Sequence, residues 1–301
     1  MYLVKLMEYW QHRILHRGHL RLAMTILVRD EEDVIEDNIR FHARKGVDFF
    51  VVMDNNSVDR TRAVLDSLTP EFEIHIIDQP SNAFKQAEWV TDMAFVAKSL
   101  GADLIINNDA DEFWQTHASS YQSLLSASDS VVTVKRYNMA LLDTQIKASG
   151  DYLSNPIMVK SSINFDKNVQ LKDANLSILL RHLPPLVMVN PYGLIKVGGG
   201  NHTAKHVWRP QGKRTEQGIE VLHYPIRSFE QFKNKVEIQY RQREFGAPLG
   251  GHMKRWMQLY EQGTLEQEFE RFVLNQSEVD LLTKIGVLTL TQPLRNELLL
   301  A

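Results

Sequence analysis

The chain has 301 residues, which is long enough to bury a sizeable core as one large domain or as one domain with an extension. Apolar residues make up 44% and charged residues 24%, as in ordinary globular proteins, and the net charge of −3 gives no reason to expect bulk attraction to nucleic acid. The absence of cysteine excludes disulfides, thiolate metal sites and cysteine nucleophiles. No apolar run approaches the roughly 18 residues that span a bilayer, and the N-terminal segment lacks a secretory apolar core, so we expect a cytoplasmic protein.

Residues 1–21 predict an amphipathic helix. Four basic residues and three histidines stand there against one acid, Glu8. Apolar side chains recur at helical spacing; they are Leu3, Leu6, Met7, Trp10, Ile14 and Leu15. Two arrangements fit this pattern: a helix packed on the main domain, or a basic helix that lies on a partner or on a membrane surface, such as the inner face.

From residue 22 to residue 107 the pattern alternates between strands and helices. Short apolar runs predict strands at 22–28, 47–53, 72–77 and 103–108. Amphipathic stretches between them predict helices over 31–46, from a cap at Ser57 or Asp59 to about Leu68, and over 84–101. This alternation is typical of an α/β fold, in which helices flank a mostly parallel central sheet.

Beyond a further predicted strand at 130–136, the pattern loosens over 137–210 into short apolar runs with glycine, proline and asparagine. From residue 228 the chain is helical in pattern. We therefore predict an N-terminal helical segment at 1–21, an α/β domain at 22–227, and a helical C-terminal extension at 228–301 that packs on it.

Polar clusters follow each of the first four predicted strands. They are Arg29-Asp30, Asp54 to Ser57, Gln79 to Gln86, and Asp109-Ala110-Asp111. Because the carboxyl ends of parallel strands meet at one edge of the sheet, these clusters should share one rim, where ligands of such sheets bind.

The last cluster gathers three acids, Asp109, Asp111 and Glu112, in four positions. Such acids repel one another unless they lie in a solvated turn or face a cation. Two carboxylates at positions i and i+2 can face one ion, and oxygen ligands favour Mg²⁺ or Mn²⁺. The buried strand before them and the polar rim beside them favour the metal site.

The stretches TILVRDEEDVIEDNIRFHARKGVDFFVVMDNNSVDRT and INNDADEFW resemble family 2-type glycosyltransferases of the GT-A fold. The likeness is greatest to a bacterial subgroup that carries DADEF and a later HYPIRSFEQF. It is strong over residues 22–115 and moderate over 198–240. The resemblance implies a nucleotide-diphospho-sugar transferase fold and a metal-dependent transfer of a sugar from a nucleotide-diphosphate donor to a hydroxyl acceptor.

The resemblance also implies roles for residues at the rim. Asp54 matches the acid that contacts the base or ribose of the nucleotide, and Arg29 and Glu31 match the segment that lines the base pocket. Asp109 would lie near the ribose and the metal, and Asp111 would be the main ligand of Mn²⁺ or Mg²⁺.

Further donor and metal contacts are expected from neighbouring positions. A late histidine often completes the metal site of this fold; His223 is the first choice and His202 the second. The expected donor contacts also include Asn56, Lys85 and Gln86. Extra positive charge near the diphosphate could come from Lys135, Arg136 or Arg227.

The chain departs from better-known members of the family at the catalytic base. It lacks the Glu-Asp pair in which those members place the base. It also lacks their Q-x-x-R-W motif, because His252 takes the place of the glutamine three residues before Arg255. The candidates for the base are Asp143, His202 and Glu220. We expect a hexosyltransferase-like, inverting enzyme of cell-surface polysaccharide or glycolipid synthesis, acting on a saccharide or glycolipid acceptor. The alternative is a non-catalytic nucleotide-sugar or carbohydrate-binding protein of the same fold.

Other nucleotide and phosphate chemistries fit the sequence less well. A nicotinamide enzyme would carry G-x-G-x-x-G after the first strand, but residues 28–34 contain no glycine, and no G-x-x-x-x-G-K-[ST] loop occurs. An aspartate-dependent phosphatase would place its D-x-D after the first strand rather than the fourth.

Overall fold

The computed structural model describes residues 2–16, 18–81, 85–143, 151–162, 177–208, 213–242 and 251–299. Parts of the predicted helices at 84–101 and beyond 242, and of the loops over 137–210, lie outside these residues. The chain forms two compact units. The first comprises Met1–Arg136 and Pro184–Val221, and the second comprises Tyr137–Leu183 and Leu222–Ala301.

The regular elements follow one another in this order along the chain. The first half contains α1 (Tyr2–Leu15), β1 (Leu22–Val28), α2 (Ile35–Arg44), β2 (Phe49–Asp54), α3 (Thr61–Leu68), β3 (Ile74–Asp78), α4 (Gln86–Ser99), β4 (Leu104–Asp109), β5 (Glu112–Thr116), β6 (Val131–Asn138), β7 (Leu141–Leu142) and β8 (Ile157–Val159). The second half contains β9 (Leu186–Val189), β10 (Leu194–Val197), β11 (Ala204–His206), β12 (Lys213–His223), α5 (Phe229–Gln242), α6 (Gly251–Glu261), α7 (Leu265–Glu270), β13 (Val273–Leu274), α8 (Gln276–Lys284), β14 (Leu288–Leu290) and α9 (Leu294–Leu299).

The central sheet has eight strands in the order β3-β2-β1-β4-β9-β6-β12-β5. The pairs β2–β3, β1–β2 and β1–β4 are parallel, whereas β9 runs antiparallel to β4 and β6. The predicted α/β fold, with a large, mostly parallel central sheet and flanking helices, is confirmed. The strand predicted at 22–28 matches β1, and the other three early strands are offset by one or two residues.

The core of the first unit forms where α4 covers the parallel strands. Trp89, Val90, Met93, Ala94 and Ala97 on α4 are buried against apolar side chains of β1, β2 and β4. Their spacing of one, three and four residues places them on one face of the helix, which explains why α4 lies along the sheet. This packing fixes the carboxyl ends of the parallel strands at one edge.

The predicted helix from Glu31 begins four residues later, at Ile35. Its first positions are used in loop contacts instead, since the Asp30 carboxylate accepts the Val58 amide at 2.6 Å and the Glu31 amide donates to Thr61 Oγ1 at 2.8 Å. The predicted cap residue Asp59 accepts the amide of Thr61, the first residue of α3, at 2.9 Å.

Strand β5 was not expected from the sequence pattern. All five residues of β5 are buried, including Glu112 and Gln115, and the strand forms the edge of the sheet beside β12. Glu112 and Gln115 interrupt the stretch, so it contains neither an apolar run nor a clear alternation of apolar and polar residues. Because charged and amide side chains are seldom fully buried, the sequence did not predict a buried strand here.

Helix α1 (Tyr2–Leu15) lies within the predicted N-terminal segment and packs against other parts of the first unit. Tyr9 is fully buried and its hydroxyl donates to Ser128 O at 2.7 Å, while the Tyr2 hydroxyl donates to Val207 O at 2.7 Å. The outer face leaves apolar side chains exposed, including Leu3 and Met7. Contact of residues 1–21 with a membrane stays a prediction.

The second unit contains helices α5 to α9, as the pattern beyond residue 228 predicts. Aromatic side chains form the centre of its core; they are Phe232, Trp256, Phe269 and Phe272. Two small strand pairs accompany them, β7 with β13 in parallel and β8 with β14 in antiparallel. Among the described residues, no helix has both the length and the apolarity that crossing a bilayer requires.

A buried histidine on α2 gives the first unit a predicted dependence of stability on pH. His42 Nδ1 lies 2.8 Å from Asn38 O, and Nε2 accepts the Trp114 amide at 3.0 Å. Burial lowers the pKa of His42 from 6.5 to about 3. The folded state therefore holds the neutral ring, so this contribution to stability is complete above pH 6.5 and is lost as the pH falls towards 3.

Between these limits the free energy of unfolding should fall by about 1.4 kcal/mol per pH unit from this residue alone. Urea unfolding between neutral and mildly acidic pH measures this slope. The side chain of His42→Gln does not titrate, so the slope of the free energy of unfolding against pH should be smaller by the contribution of one proton. We expect this even though the variant is less stable at neutral pH. An unchanged slope in the variant would show that other groups cause the acid sensitivity.

Candidate functional site

The order of the parallel strands creates a crevice at the end of β1. From β1 the chain adds β2 and β3 on one side of the sheet, and then β4 on the other side. In the register, Val28 pairs with Asp54 of β2 and Leu27 pairs with Asp109 of β4. Neighbouring strands lie about 4.8 Å apart, so the backbones of Asp54 and Asp109 flank the end of β1 at about 10 Å from each other. Open α/β sheets bind ligands at such a switch point.

The loops after β1 and β2 are fixed to each other. The Asp54 carboxylate accepts the Ser57 amide at 2.9 Å, and Ser57 Oγ accepts the Asp30 amide at 3.1 Å. Asp30 and Asn56 have positive φ angles of 54° and 59°, which asparagine and aspartate tolerate better than most residues. The sequence-predicted residues Asp54 and Asn56 therefore belong to one ordered rim, with Asp54 buried and Asn56 exposed.

Arg29 directly follows β1 at this switch point. Its Nε and Nη1 atoms are buried and have no hydrogen-bond partner among the residues that the structure describes. A buried donor without a partner costs free energy, and such groups in a folded protein call for an explanation such as a missing ligand. A guanidinium is suited to bind a phosphate or a carbonyl group.

Buried amide side chains hold the acidic turn Asp109–Glu112 from the interior of the first unit. Asn38 of α2 donates to Ala110 O at 2.8 Å and to Glu112 O at 2.9 Å. Asn108 donates to Asn38 Oδ1 at 3.2 Å and accepts Trp114 Nε1 at 2.8 Å. These contacts fix the backbone of the turn before any ligand binds.

The three acids of the turn have different surroundings. Glu112 is fully buried, forms an ion pair with Arg136, and accepts the Asp109 amide at 3.2 Å. Burial and the charges of Asp109 and Asp111 raise the pKa of Glu112, and the charge of the neighbouring Arg136 lowers it. Glu112 thus anchors the turn from inside.

The donor set of the turn fits a divalent metal ion. Asp109 is half-buried and Asp111 is 6% exposed, and their carboxylates are the oxygen ligands that Mg²⁺ and Mn²⁺ prefer. Within the described part of the first unit, no third histidine or carboxylate joins them at ligand distance. An ion held by these two acids would keep coordination positions for phosphate oxygens and water.

Asn201 belongs to this site, although the sequence analysis did not select it. It is fully buried with a φ of 57°, and its Nδ2 donates to Asp109 Oδ1 at 3.1 Å. Its Oδ1 is buried and has no partner within the described part of the chain. Gly200, with a φ of 65°, donates its amide to Gln86 Oε1 at 3.0 Å. Three glycines before an asparagine were the available signal, because such a loop can approach another backbone closely.

The remaining candidates of the first unit have different surroundings. Gln86 is joined to the loop that carries Asn201. Lys85 is exposed, and its Nζ lies 3.4 Å from Glu88 Oε1, as in a surface ion pair. His202 Nδ1 lies 3.2 Å from Pro185 O, and Glu220 is half-buried on β12. Their assigned roles, and that of Glu31, stay predictions.

Three further candidates lie in the second unit. His223 Nδ1 lies 2.8 Å from Asn138 Oδ1, and Asp143 is half-buried next to β7. Arg227 is buried and donates to Tyr224 O at 3.2 Å. The roles of His223 as a metal ligand and of Asp143 as a base stay predictions.

No family model and no curated protein matches this chain. Among solved structures, TarS from S. aureus in complex with UDP has a TM-score of 0.41 at 10% identity, over 77% of this chain and 68% of that chain. Glucosyl-3-phosphoglycerate synthase from Mycobacterium tuberculosis, in complex with Mn²⁺, UDP and glucosyl-3-phosphoglycerate, has a TM-score of 0.31 at 12% identity, over 57% of each chain. Similarities this distant carry no argument about the function of this chain, which is inferred from its own residues.

Proposed function

We propose that this protein is a metal-dependent glycosyltransferase that moves a sugar from a nucleotide-diphosphate donor to a hydroxyl acceptor. The observation that carries the proposal is the acidic turn Asp109–Glu112, held rigidly at the switch point of the sheet and next in register to the end of β1, where Arg29 follows. The turn offers carboxylates for a dication, and Arg29 offers two buried donor atoms, which no described residue pairs, for an anionic or carbonyl group. A nucleoside diphosphate with a bound metal ion complements both.

Different residues of the rim would contact different parts of such a donor. Asp54 and the ordered loop to Ser57 would contact the nucleoside, with Arg29 and Glu31 beside the base. Asp109 and Asp111 would hold Mn²⁺ or Mg²⁺, which supplies charge stabilisation for the leaving diphosphate. Asn201 orients Asp109 through its amide, and its free Oδ1 can accept a hydrogen bond from a donor hydroxyl.

The acceptor hydroxyl must lose its proton as it attacks the sugar. The candidates for this base are Glu220 and His202 in the first unit and Asp143 in the second. In an inverting reaction one such group acts on the face of the sugar opposite the diphosphate. The acceptor would be a saccharide or glycolipid of the cell surface.

The test is calorimetric titration of UDP, GDP and CMP into the full chain, each with and without Mn²⁺. We expect one nucleoside diphosphate to bind in the presence of Mn²⁺ and much more weakly in EDTA. Failure of every nucleotide to bind under both conditions would overturn the proposal. Binding without transfer or hydrolysis of any sugar donor would favour the non-catalytic binding protein instead.

Asn201 gives a local prediction for this site. Asn201→Gly keeps the positive φ but removes the amide that holds Asp109, so Mn²⁺-dependent nucleotide affinity should fall about tenfold, as for other partners of metal ligands. The matched control in the same loop is Gly199→Ala, because a Cβ at Gly199 meets no atom within 4 Å. Calorimetry should show wild-type affinity in the control, and equal affinities in both variants would remove Asn201 from the site.

A further inference from the structure

A second group of metal-ligating side chains lies in the first unit, where α1 packs beside the start of β4. His12 Nε2 lies 2.7 Å from Asp103 Oδ1, and His16 Nδ1 lies 3.3 Å from the same oxygen. The three ligand atoms all lie within 4.8 Å of one another. These residues have no part in the proposed sugar transfer.

The helix and the strand fix the positions of these groups. His12 and His16 are four residues apart on α1, so both rings leave the same face of the helix. Asp103 directly precedes β4, and its Oδ2 accepts the Arg21 amide at 2.7 Å. This contact holds the carboxylate in place with Oδ1 towards both imidazoles.

The distances are close to those of a tetrahedral metal site. Zinc bonds to nitrogen and oxygen of about 2.0–2.1 Å place two tetrahedral ligands about 3.3 Å apart. The distance from His16 Nδ1 to Asp103 Oδ1 is 3.3 Å, and the distance from His12 Nε2 to that oxygen is 2.7 Å. An entering ion therefore needs the His12 ring to move by about half an ångström.

The three side chains are mostly buried, with exposed fractions of 8%, 18% and 13% for His12, His16 and Asp103. A cavity of about 270 Å³ adjoins them; it is lined by Glu8, Gln11, His12, Leu15, His16, Lys98 and Tyr192. Tyr192 stacks on the His12 ring at 4.1 Å between centroids. Asn190 Nδ2 lies 3.4 Å from His12 Nδ1, and this longer contact is the one that movement of the ring would loosen.

We propose that His12, His16 and Asp103 form a site for a transition metal ion of the Zn²⁺ type, with a fourth position open to the adjoining cavity. Two imidazoles and one carboxylate favour Zn²⁺ over Mg²⁺ or Ca²⁺, which prefer oxygen ligands alone. Ligation through Nε2 requires the proton of the hydrogen bond between His12 Nε2 and Asp103 Oδ1 to move to Nδ1 of the same ring, so that Nε2 offers its lone pair to the ion. The bound ion would join the end of α1 to the residue that precedes β4, within the first unit.

The test is titration of Zn²⁺ into the metal-free full chain by calorimetry, with His16→Ala as the variant. The matched control is His19→Ala, since His19 Nε2 lies 2.7 Å from Asp48 Oδ1 in a similar pair that no second histidine of the described residues joins. We expect one tight site per chain in the wild type and in the control, and at least about tenfold weaker binding in the variant. Asp111→Asn should keep this site, which separates it from the proposed nucleotide site.

Two results would overturn the proposal: no tight Zn²⁺ site in the wild type, or equal affinity in wild type and His16→Ala. If His16→Ala fails to fold, Co²⁺ added to the wild-type chain decides the question through its absorption spectrum. Intense bands of four-coordinate Co²⁺ support the site, whereas the weak spectrum of hexaaqua Co²⁺ contradicts it.

Discussion

Asp111→Asn is expected to lower Mn²⁺-dependent nucleotide affinity by at least about 100-fold, because it removes a charged ligand rather than a partner of a ligand. The asparagine has nearly the same shape, so the turn should keep its backbone contacts with Asn38. Without metal, Asp111 lies beside Asp109 and Glu112, and its charge raises the pKa of Glu112. The substitution relieves that repulsion, so the Tm of the metal-free variant should not fall.

Asp111→Asn should therefore weaken Mn²⁺-dependent nucleotide binding without lowering the Tm of the metal-free protein. This combination distinguishes loss of a metal ligand from loss of folding. Thermal unfolding with and without Mn²⁺ and nucleotide measures both. The wild type should be stabilised by the ligands and the variant should not. Asp66→Asn on α3 is the control, since Asp66 is an exposed carboxylate paired with Arg62. A variant that keeps Mn²⁺-dependent binding would contradict the role of Asp111.

Arg136→Met is expected to lower the free energy of unfolding by about 3 kcal/mol. Arg136 and Glu112 form an ion pair in which the side chains are 8% and 0% exposed. Breaking a buried pair on one side costs about 3–5 kcal/mol, and the lower value applies because Glu112 can take up a proton. Urea unfolding at neutral pH measures the difference.

Adding Glu112→Gln to Arg136→Met should recover part of the lost stability, because glutamine is neutral without the free-energy cost of protonating a carboxylate. Arg62→Met is the control on the surface. Arg62 pairs with Asp66 and Asp78 where both acids are more than half exposed, so its loss should cost less than about 1 kcal/mol. Equal losses in the Arg136 and Arg62 variants would show that the buried pair does not anchor the turn.

The parallel part of the fold was predictable because its signals are local. Each of the first four strands is a short apolar run that ends in polar residues, and helices of one apolar face separate them. The positions of Asp54 and Asp109 at one edge then follow from the geometry of parallel sheets, and the register confirms it.

Other parts of the site depend on contacts between residues far apart in the chain. Asn38 supports the acidic turn from α2, and Asn201 reaches Asp109 from a loop 92 positions later. The glycines before Asn201 indicate a loop that can approach another backbone closely, but neither they nor the helical position of Asn38 indicate which residue the side chain meets. Strand β5 was missed for a related reason, since the buried Glu112 pairs with Arg136, which comes 24 positions later.

The histidines of α1 illustrate the same limit. His12 and His16 had the spacing of one helix face, but their third partner, Asp103, comes from the start of β4. Helical periodicity predicts which residues share a face, and it does not predict which side chain of another element meets that face.

The most direct test of the proposed function is a crystal structure of the protein with Mn²⁺ and the nucleoside diphosphate that binds in calorimetry. Anomalous scattering at the manganese edge locates the ion. We predict one manganese peak bound by Asp111 and Asp109, with the diphosphate as a further ligand and the nucleoside beside Arg29 and Asp54. A nucleotide bound elsewhere, or a nucleotide at the end of β1 with no manganese at the acidic turn, would contradict the account.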